Sequence, residues 1–355
     1  MISRVAEHCF WLGRYLERAE NMARILHVNQ QLLLDLEVPL EHQWKPLLII
    51  SGIHNLAGEA DAETVQTHLT WEEANRSSIL SSLKAARENA RIIREVISAD
   101  MWERINFYFL WLQSPTASKL YDRNRSEFYD QIKRINQLIH GIGEATMSHG
   151  EPWEFFELGR YLERACQTAR ILDVKYHVLL PTPQHVGTPV DSAHWVAILT
   201  SCSGYEPYHK QRLAVADPAV SVVDFLIFDP LFPRSVRHCL RECQAAARAI
   251  AGEPEEKAAN PVEQGLDELV GWLDRTPIDV IIRAGLHEAL TSVVNRIHSL
   301  GDAIHKTYFD PAPQTPRLSD RPASSRCAGQ LDADPTPRNK KGAEACQCRV
   351  DISGR

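Results

Sequence analysis

The sequence has no long apolar run and no excess of positive charge. None of its 355 residues lies in a stretch approaching the ~18 consecutive apolar residues of a membrane-spanning helix. The first residues pass into charged sequence without the apolar region of a signal peptide. The formal net charge is -7, whereas nucleic-acid binders rely on lysines and arginines that displace counterions from phosphates. We therefore expect a cytoplasmic protein that binds neither nucleic acid nor membrane.

Recognisable metal-binding and catalytic motifs are also missing. Eight cysteines are present, yet none forms a Cys-x-x-Cys pair of the kind that structural zinc sites use. There is no GxSxG nucleophile elbow, no GxxxxGK[ST] phosphate loop and no HExxH helix. The sequence thus predicts no bound metal and no cofactor, and it leaves open whether the chain is an enzyme.

Helical periodicity dominates the part of the chain that precedes residue 310. Apolar residues recur at three- and four-residue steps from Val5 through Leu12, Leu16 and Ala19, which is the period of one helix face. This first helix is expected to end before Pro39. Similar patterns predict helices over residues 77–97, 127–147, 155–180, 235–250, 262–273 and 278–308. No alternating strand pattern of useful length is present, so we expect an all-α fold.

A segment of the first helix recurs in the second half of the chain. Residues 12–28 and 158–174, at an offset of 146, are identical at thirteen of seventeen positions. Two fainter correspondences follow in the same order, at offsets of 157 and 158: residues 65–91 with 222–248, and 135–145 with 293–303. Three blocks in one order predict a tandem duplication of a roughly 150-residue helical unit.

The repeat defines the expected domain organisation. Units 2–147 and 149–309 are predicted to pack about a pseudo-twofold axis as one intertwined helical bundle, because almost no linker separates them. Residues 310–355 are rich in proline and small polar residues and poor in large apolar ones. Such a composition cannot bury enough surface to fold, so we expect a disordered C-terminal tail.

Each unit opens with the signature Leu-Gly-Arg-Tyr-Leu-Glu-Arg-Ala, at residues 12–19 and 158–165. Glycine inside a helix costs about 0.5–1 kcal/mol relative to alanine. Gly13 and Gly159 therefore predict that another backbone approaches this helix closely. The charged residues beside them are then expected to be partly buried, where charges need partners.

Two interpretations of the signature charges are open. In the first, they form an ion-pair network that fixes the docking of the two units. In the second, the arginine forks converge on a carboxylate or phosphate of a substrate or partner. The glutamates would then orient the forks or act as general bases, so Glu17 and Glu163 are the catalytic candidates. The candidate binding residues are Arg14, Arg18, Arg24, Arg160, Arg164, Arg170, Arg87, Arg91, Arg234 and Ser235.

Two further segments have the composition of helix starts. One helix is predicted to start after residues 75–78, and residues 233–236 are predicted to open its counterpart. Asn75 or Ser77 in one half, and Phe232 before a proline in the other, have the chemistry of helix starts. A helix N-terminus with Arg76 or Arg234 nearby is also a natural site for an anion. Both interpretations are open from the sequence.

Several of these motifs together resemble a known family. Residues 11–21, 87–91, 153–164 and 232–235 resemble the alpha-E family of bacterial helical domains, which is named for its helices and its ER motif. The resemblance runs from Met1 to about Phe309 and implies one alpha-E helical domain over residues 1–309. The ER motif falls on Glu17 and Arg18 in the first unit and on Glu163 and Arg164 in the second.

The resemblance also implies partners. Domains of this family are typically encoded beside, or fused to, circularly permuted ATP-grasp proteins and transglutaminase-like peptidases. That association implies an accessory component that binds a substrate or partner in a pathway of peptide or amide synthesis or modification. There are two alternatives. The chain is an enzyme that uses the Glu/Arg pairs on a carboxylate- or phosphate-bearing substrate, or it is a purely structural helical scaffold.

Overall fold

The computed structural model describes residues 3–35, 43–53, 61–178, 189–211, 217–252 and 260–310. Within these ranges all regular secondary structure is helical, as expected. The helices are α1 (Ser3–Asp35), α2 (Lys45–Ile50), α3 (Ala62–Thr70), α4 (Ile79–Ile92), α5 (Ala99–Leu112), α6 (Pro115–Arg123), α7 (Arg125–Thr146), α8 (Glu151–Val178), α9 (Pro189–Ser201), α10 (Tyr205–Gln211), α11 (Pro218–Phe228), α12 (Val236–Ala251), α13 (Pro261–Arg275), α14 (Ile278–Ala284), α15 (Leu286–Ile304) and a π-helical turn (His305–Phe309). No helix in these ranges has both the length and the apolarity to cross a membrane. The predicted tail lies outside the described residues apart from Asp310.

The long periodic helices were predictable, and the short ones were not. The predicted helix over 278–308 is divided at Gly285, whose φ of 111° lies in the region that favours glycine. The sequence patterns missed α2, α3, α5, α6, α9, α10 and α11. Several of these have fewer than ten residues, too few for a 3.6-residue period to emerge, and α11 is apolar on most sides.

Helices α1 and α8 lie at the centre of the bundle and pack against each other more extensively than any other pair in the described ranges. Helices α4 and α7 cover the flanks of α1, and α12 and α15 cover those of α8. Both central helices are therefore surrounded, and the charged residues of their signatures lie inside the molecule. The duplication itself stays a sequence prediction.

The two central helices approach most closely at their signature glycines. A Cβ placed on Gly13 would lie 3.1 Å from the backbone nitrogen of Arg160 and deep inside contact distance of the Phe156 carbonyl oxygen. A Cβ on Gly159 would meet the Phe10 carbonyl oxygen in the same way. The predicted close approach is confirmed, and the approaching backbone in each case is the other signature helix.

Candidate functional site

The ER motifs of α1 and α8 exchange partners across the interface between the two helices. Arg164 donates to both carboxylate oxygens of Glu17, from Nε at 3.0 Å and from Nη2 at 2.7 Å. Arg18 donates to both oxygens of Glu163 in the same manner, at 2.7 and 2.9 Å. Each glutamate is thus held by the arginine of the other motif in the bidentate geometry that suits a guanidinium and a carboxylate.

Each glutamate also binds a second guanidinium. Arg234 Nη1 donates to Glu17 at 2.8 Å, and Arg14 Nε donates to Glu163 at 2.8 Å, with Nη2 of the same guanidinium also 2.8 Å from that carboxylate. A side-chain amide from the same helix completes each set, at 3.1 Å for Glu17 and 3.4 Å for Glu163. The buried carboxylates are therefore fully paired, which is the condition under which burial of charge is tolerated.

A third carboxylate joins the cluster on the first signature helix. Glu20 accepts from Arg234 Nη2 at 3.0 Å and also from Arg24, whose other amino group donates to the hydroxyl of Ser203. The sequence did not single out Glu20, because the equivalent position of the second unit is Cys166 and the repeat therefore does not mark it. Only the fold places it between two arginines.

Two of the predicted binding arginines stand apart from the exchanged pairs. Arg160 pairs with Glu157 on its own helix. Arg170 contacts the ring nitrogen Nε2 of His298 at 3.1 Å and the carbonyl oxygen of Ile50 at 3.4 Å. Among the residues that the structure describes, no carboxylate forms an ion pair with Arg170.

Arg87 and Arg91 on α4 form contacts of their own. Arg87 donates to Asn106 and to Glu88, both at 2.8 Å, and Arg91 donates to the other oxygen of Glu88 at 2.8 Å. None of these contacts joins the exchanged pairs. Arg91 therefore lies on the surface of α4 and Arg87 lies between α4 and α5, and neither belongs to the cluster between α1 and α8.

Helices α4 and α12 begin within two residues of the predicted starts, but other residues cap them. Ser78 caps α4, accepting from the Ser81 nitrogen at 3.1 Å, and Ser235 caps α12, accepting from the His238 nitrogen at 3.1 Å. Asn75 instead accepts from the nitrogen of Ser77 within the preceding turn. The predicted helix starts at residues 77 and 235 therefore agree with the structure within two residues, whereas Asn75, Ser77 and Phe232 are not the capping residues. The hydroxyl of Ser235 is occupied as a helix cap, while the side chain of the preceding arginine reaches the buried cluster.

The environment of the signature glutamates determines their protonation. Burial by itself raises the pKa of each carboxyl. The charges of Arg164 and Arg234 outweigh it at Glu17, as those of Arg18 and Arg14 do at Glu163, so the pKa of both carboxyls lies well below its usual range. A general base works best with a pKa near the operating pH. The geometry therefore favours counter-ions over acid–base catalysts.

One group of side chains in the described ranges has the composition of a metal site. Glu17, Glu20 and His140 offer ligand atoms that all lie within 4.8 Å of one another. However, Arg24, Arg164 and Arg234 already bind the two carboxylates. Three guanidinium groups outnumber two carboxylates, so the local charge is positive and opposes a divalent cation.

His140 is the unusual member of this group. Its two ring nitrogens are shielded from solvent and have no hydrogen-bond partner. Burial, together with the charge of Arg160 and weaker contributions from Arg164 and Arg234, lowers the pKa of His140 to about 3. The imidazole is therefore neutral in the folded protein at every pH near neutrality.

We expect His140 to make stability depend on pH between about 6.5 and 3, since an unfolded histidine has a pKa of about 6.5. Because the folded pKa is depressed, the unfolded chain takes up the proton first, and stability is lost as the pH falls through this window. The expected slope is up to about 1.4 kcal/mol for each pH unit. Urea unfolding of wild type and His140→Gln at pH 7, 6 and 5 measures this slope. Equal slopes of stability against pH in the two proteins would refute a depressed pKa of His140 in the folded protein.

The fold and the site together define a class: an all-helical protein whose two central helices exchange glutamate–arginine pairs. The chain belongs to the Alpha-E family, described as a predicted alpha-helical domain with a conserved ER motif, and residues 1–309 match it. The exchanged pairs contain the Glu-Arg sequences at residues 17–18 and 163–164.

Similar chains occur in mycobacteria. The chain is 23% identical over 325 residues to uncharacterized protein Mb2597 of Mycobacterium bovis, an alignment that covers 83% of this chain and 35% of the relative. Uncharacterized protein Rv2567 of Mycobacterium tuberculosis matches with the same identity and coverage. The chain thus spans about a third of the length of these curated relatives. No solved structure matches it.

Proposed function

We propose that this chain is an accessory, non-catalytic component of an ATP-grasp-linked pathway of peptide or amide synthesis or modification, in which it binds a substrate or partner enzyme. The observation that carries this proposal is the engagement of Glu17 and Glu163. Each is buried, bound by two guanidinium groups and held at a depressed pKa. Neither carboxylate is placed to accept a proton from a substrate at neutral pH.

The proposed architecture is a tandem duplication arranged about a pseudo-twofold axis. Two reciprocal features support it. Gly13 approaches Phe156 while Gly159 approaches Phe10, and each ER motif supplies the glutamate for the arginine of the other. This exchange gives a physical reason for both copies to keep the same motif, because arginines of the other half neutralise the ER glutamate of each half.

The relatives support an accessory role. Because the chain spans about a third of their length, the domain in them is joined to a larger amount of other sequence. In these relatives the domain is thus one part of a longer chain, as an accessory domain would be. The proposed partners are a circularly permuted ATP-grasp protein and a transglutaminase-like peptidase, as the family resemblance implies.

The purely structural scaffold is the second candidate, and the complete pairing of Glu17 and Glu163 favours it. The two candidates differ in a measurable way. A scaffold needs no partner for its charges, whereas a binding component contacts its partner through residues that the fold itself does not need.

Co-purification tests the proposal. The tagged chain is expressed with the ATP-grasp protein encoded beside its gene, and in a second experiment with the peptidase. We expect a complex with at least one of them, and a change in the turnover of that enzyme when the chain is added. Absence of any complex at micromolar concentrations, by co-purification and by biolayer interferometry, would contradict the proposal. A Glu163→Gln variant that folds yet abolishes turnover while the complex persists would favour the enzyme alternative.

A further inference from the structure

Among the charged residues that bind one another in the signature cluster, one lacks a charged equivalent at the offset of 146. In the first half, the Glu20 carboxylate lies between Arg24 and Arg234. At the offset of 146, Glu20 and Arg24 correspond to Cys166 and Arg170. The second half therefore keeps the arginine and lacks the carboxylate that neutralises it.

The contacts of Arg170 leave much of its charge uncompensated. Its partners are the ring of His298 and a backbone carbonyl, both neutral. Cys166 lies beside them, with its Sγ 3.9 Å from His298 Nε2. Unlike Arg24, which is 6% exposed, Arg170 is only partly buried, and His298 is exposed at the surface. A molecule in solution can therefore reach this guanidinium.

The surrounding charges favour an anion at this place. Arg14 and Arg18 lie in the same half of the cluster as Arg170, and they share the carboxylate of Glu163. Partial burial and the charges of Arg170 and Arg14 lower the pKa of His298, which registers the local positive potential. The exposed carboxylate of Asp302 reduces this potential, but together with Glu163 it sets two carboxylates against three guanidinium groups, so the local charge stays positive.

A further cation lies near the turn that follows α2, where Arg170 donates to the carbonyl of Ile50. Arg76 immediately precedes Ser77, the position that corresponds to Arg234 at the offset of 157, and it is exposed. The next residue, Ser77, donates from its hydroxyl to the carbonyl of Ser51 at 3.5 Å, and Ser51 follows the residue whose carbonyl accepts from Arg170. In the first half, Arg234 and Arg24 bind one carboxylate together.

We propose that Arg170, with Arg76 and His298, binds a carboxylate of a peptide-like ligand in the position that Glu20 occupies in the first half. The inference rests on the proposed duplication and binding function, and not on the identity of the partner enzyme. The internal equivalent is a carboxylate with a single charge, and a guanidinium fork matches it. Glu163 disfavours a doubly charged phosphate more than a singly charged carboxylate.

Isothermal titration calorimetry with N-acetyl-alanyl-alanine tests the site, with the C-terminal amide of the same dipeptide and inorganic phosphate as comparison probes. We expect saturable binding of the acid and binding of the amide that is weaker by about tenfold or more, since the charge-assisted hydrogen bonds are lost. Saturable binding of the amide with the affinity of the acid, tighter binding of phosphate, or no saturable binding of the acid at millimolar concentrations would each overturn the inference.

Variants locate the site. Cys166→Glu restores an internal carboxylate, so it is expected to reduce dipeptide affinity about tenfold while raising the urea midpoint. Arg170→Gln is expected to reduce affinity to a similar degree. Arg76 is exposed, so Arg76→Gln is expected to fold and to show a loss of dipeptide affinity even if the buried variants fold poorly. Arg91→Gln, on the surface of α4, is the matched control and should bind as wild type does. Unchanged affinity in folded Cys166→Glu and in Arg76→Gln would overturn the inference.

The two proposals fail separately. Dipeptide binding without any enzyme complex would refute the proposed association with the two enzymes and leave the carboxylate site standing. An enzyme complex without dipeptide binding would refute the carboxylate site and leave the proposed association with the enzyme standing.

Discussion

Replacing Glu17 with glutamine is expected to lower the free energy of unfolding by about 3–5 kcal/mol, the usual effect of breaking one side of a buried ion pair. Glu17 is 0% exposed, and its removal leaves both Arg164 and Arg234 without their shared counter-charge inside the protein. Urea unfolding followed by circular dichroism measures the loss. We expect the largest effect of any single charge substitution in the cluster.

Glu163→Gln provides an internal comparison. Its partners Arg14 and Arg18 have side chains that are 13% and 17% exposed, against 9% for Arg164. Water can partly solvate the stranded charges, so the loss should be smaller than for Glu17→Gln. Glu88→Gln on α4 removes an accessible pair and should change stability by about 1 kcal/mol or less. A loss for Glu17→Gln no greater than for Glu88→Gln would show that the exchanged pairs do not hold α1 and α8 together.

Gly13→Ala is expected to destabilise the protein by about 3 kcal/mol or more, at or above the upper end of overpacking effects. The new methyl group would enter the space of the Phe156 carbonyl oxygen and would also crowd the backbone nitrogen of Arg160. A backbone cannot rotate aside as a flexible side chain can, so α1 and α8 would have to separate. That separation would in turn lengthen the exchanged Glu–Arg contacts.

A matched substitution on α7 separates packing from helix propensity. Gly141 is exposed, and a Cβ there would meet nothing within 4 Å. Gly141→Ala should therefore stabilise the protein by about 0.5–1 kcal/mol, the propensity difference between the two residues. Gly159→Ala should behave as Gly13→Ala does. If Gly13→Ala and Gly141→Ala shifted stability in the same direction, close backbone approach would not be the reason for the signature glycine.

Much of the architecture was readable from local patterns. A helix face repeats every three to four residues over α1, α7 and α8, and that period is a property of the chain itself. The cost of a glycine inside a helix is likewise local, so Gly13 and Gly159 indicated a close neighbour before that neighbour was known. Short helices such as α2 and α10 gave no such signal, because their packing in the tertiary structure maintains them.

The candidate site also contains residues that the sequence indicated and residues that only the structure revealed. Repetition marked Glu17 and Glu163 together with their arginines, but it passed over Glu20, which occurs in one half only. His298 and Ser203 were also missed, because each meets its arginine from a distant part of the chain. A repeat reveals what two halves share, and the proposed carboxylate site arises where they differ.

By itself, the sequence determined that this protein is helical and that its signature charges lie beside a closely approached backbone. Only the tertiary structure decided that Glu17 binds Arg164 while Arg18 binds Glu163. The reason is geometric, since adjacent residues on a helix point in different directions, and in this cluster each glutamate faces the arginine of the other helix. The crossing of α1 and α8 at their glycines selects the partners, and no local pattern contains that crossing.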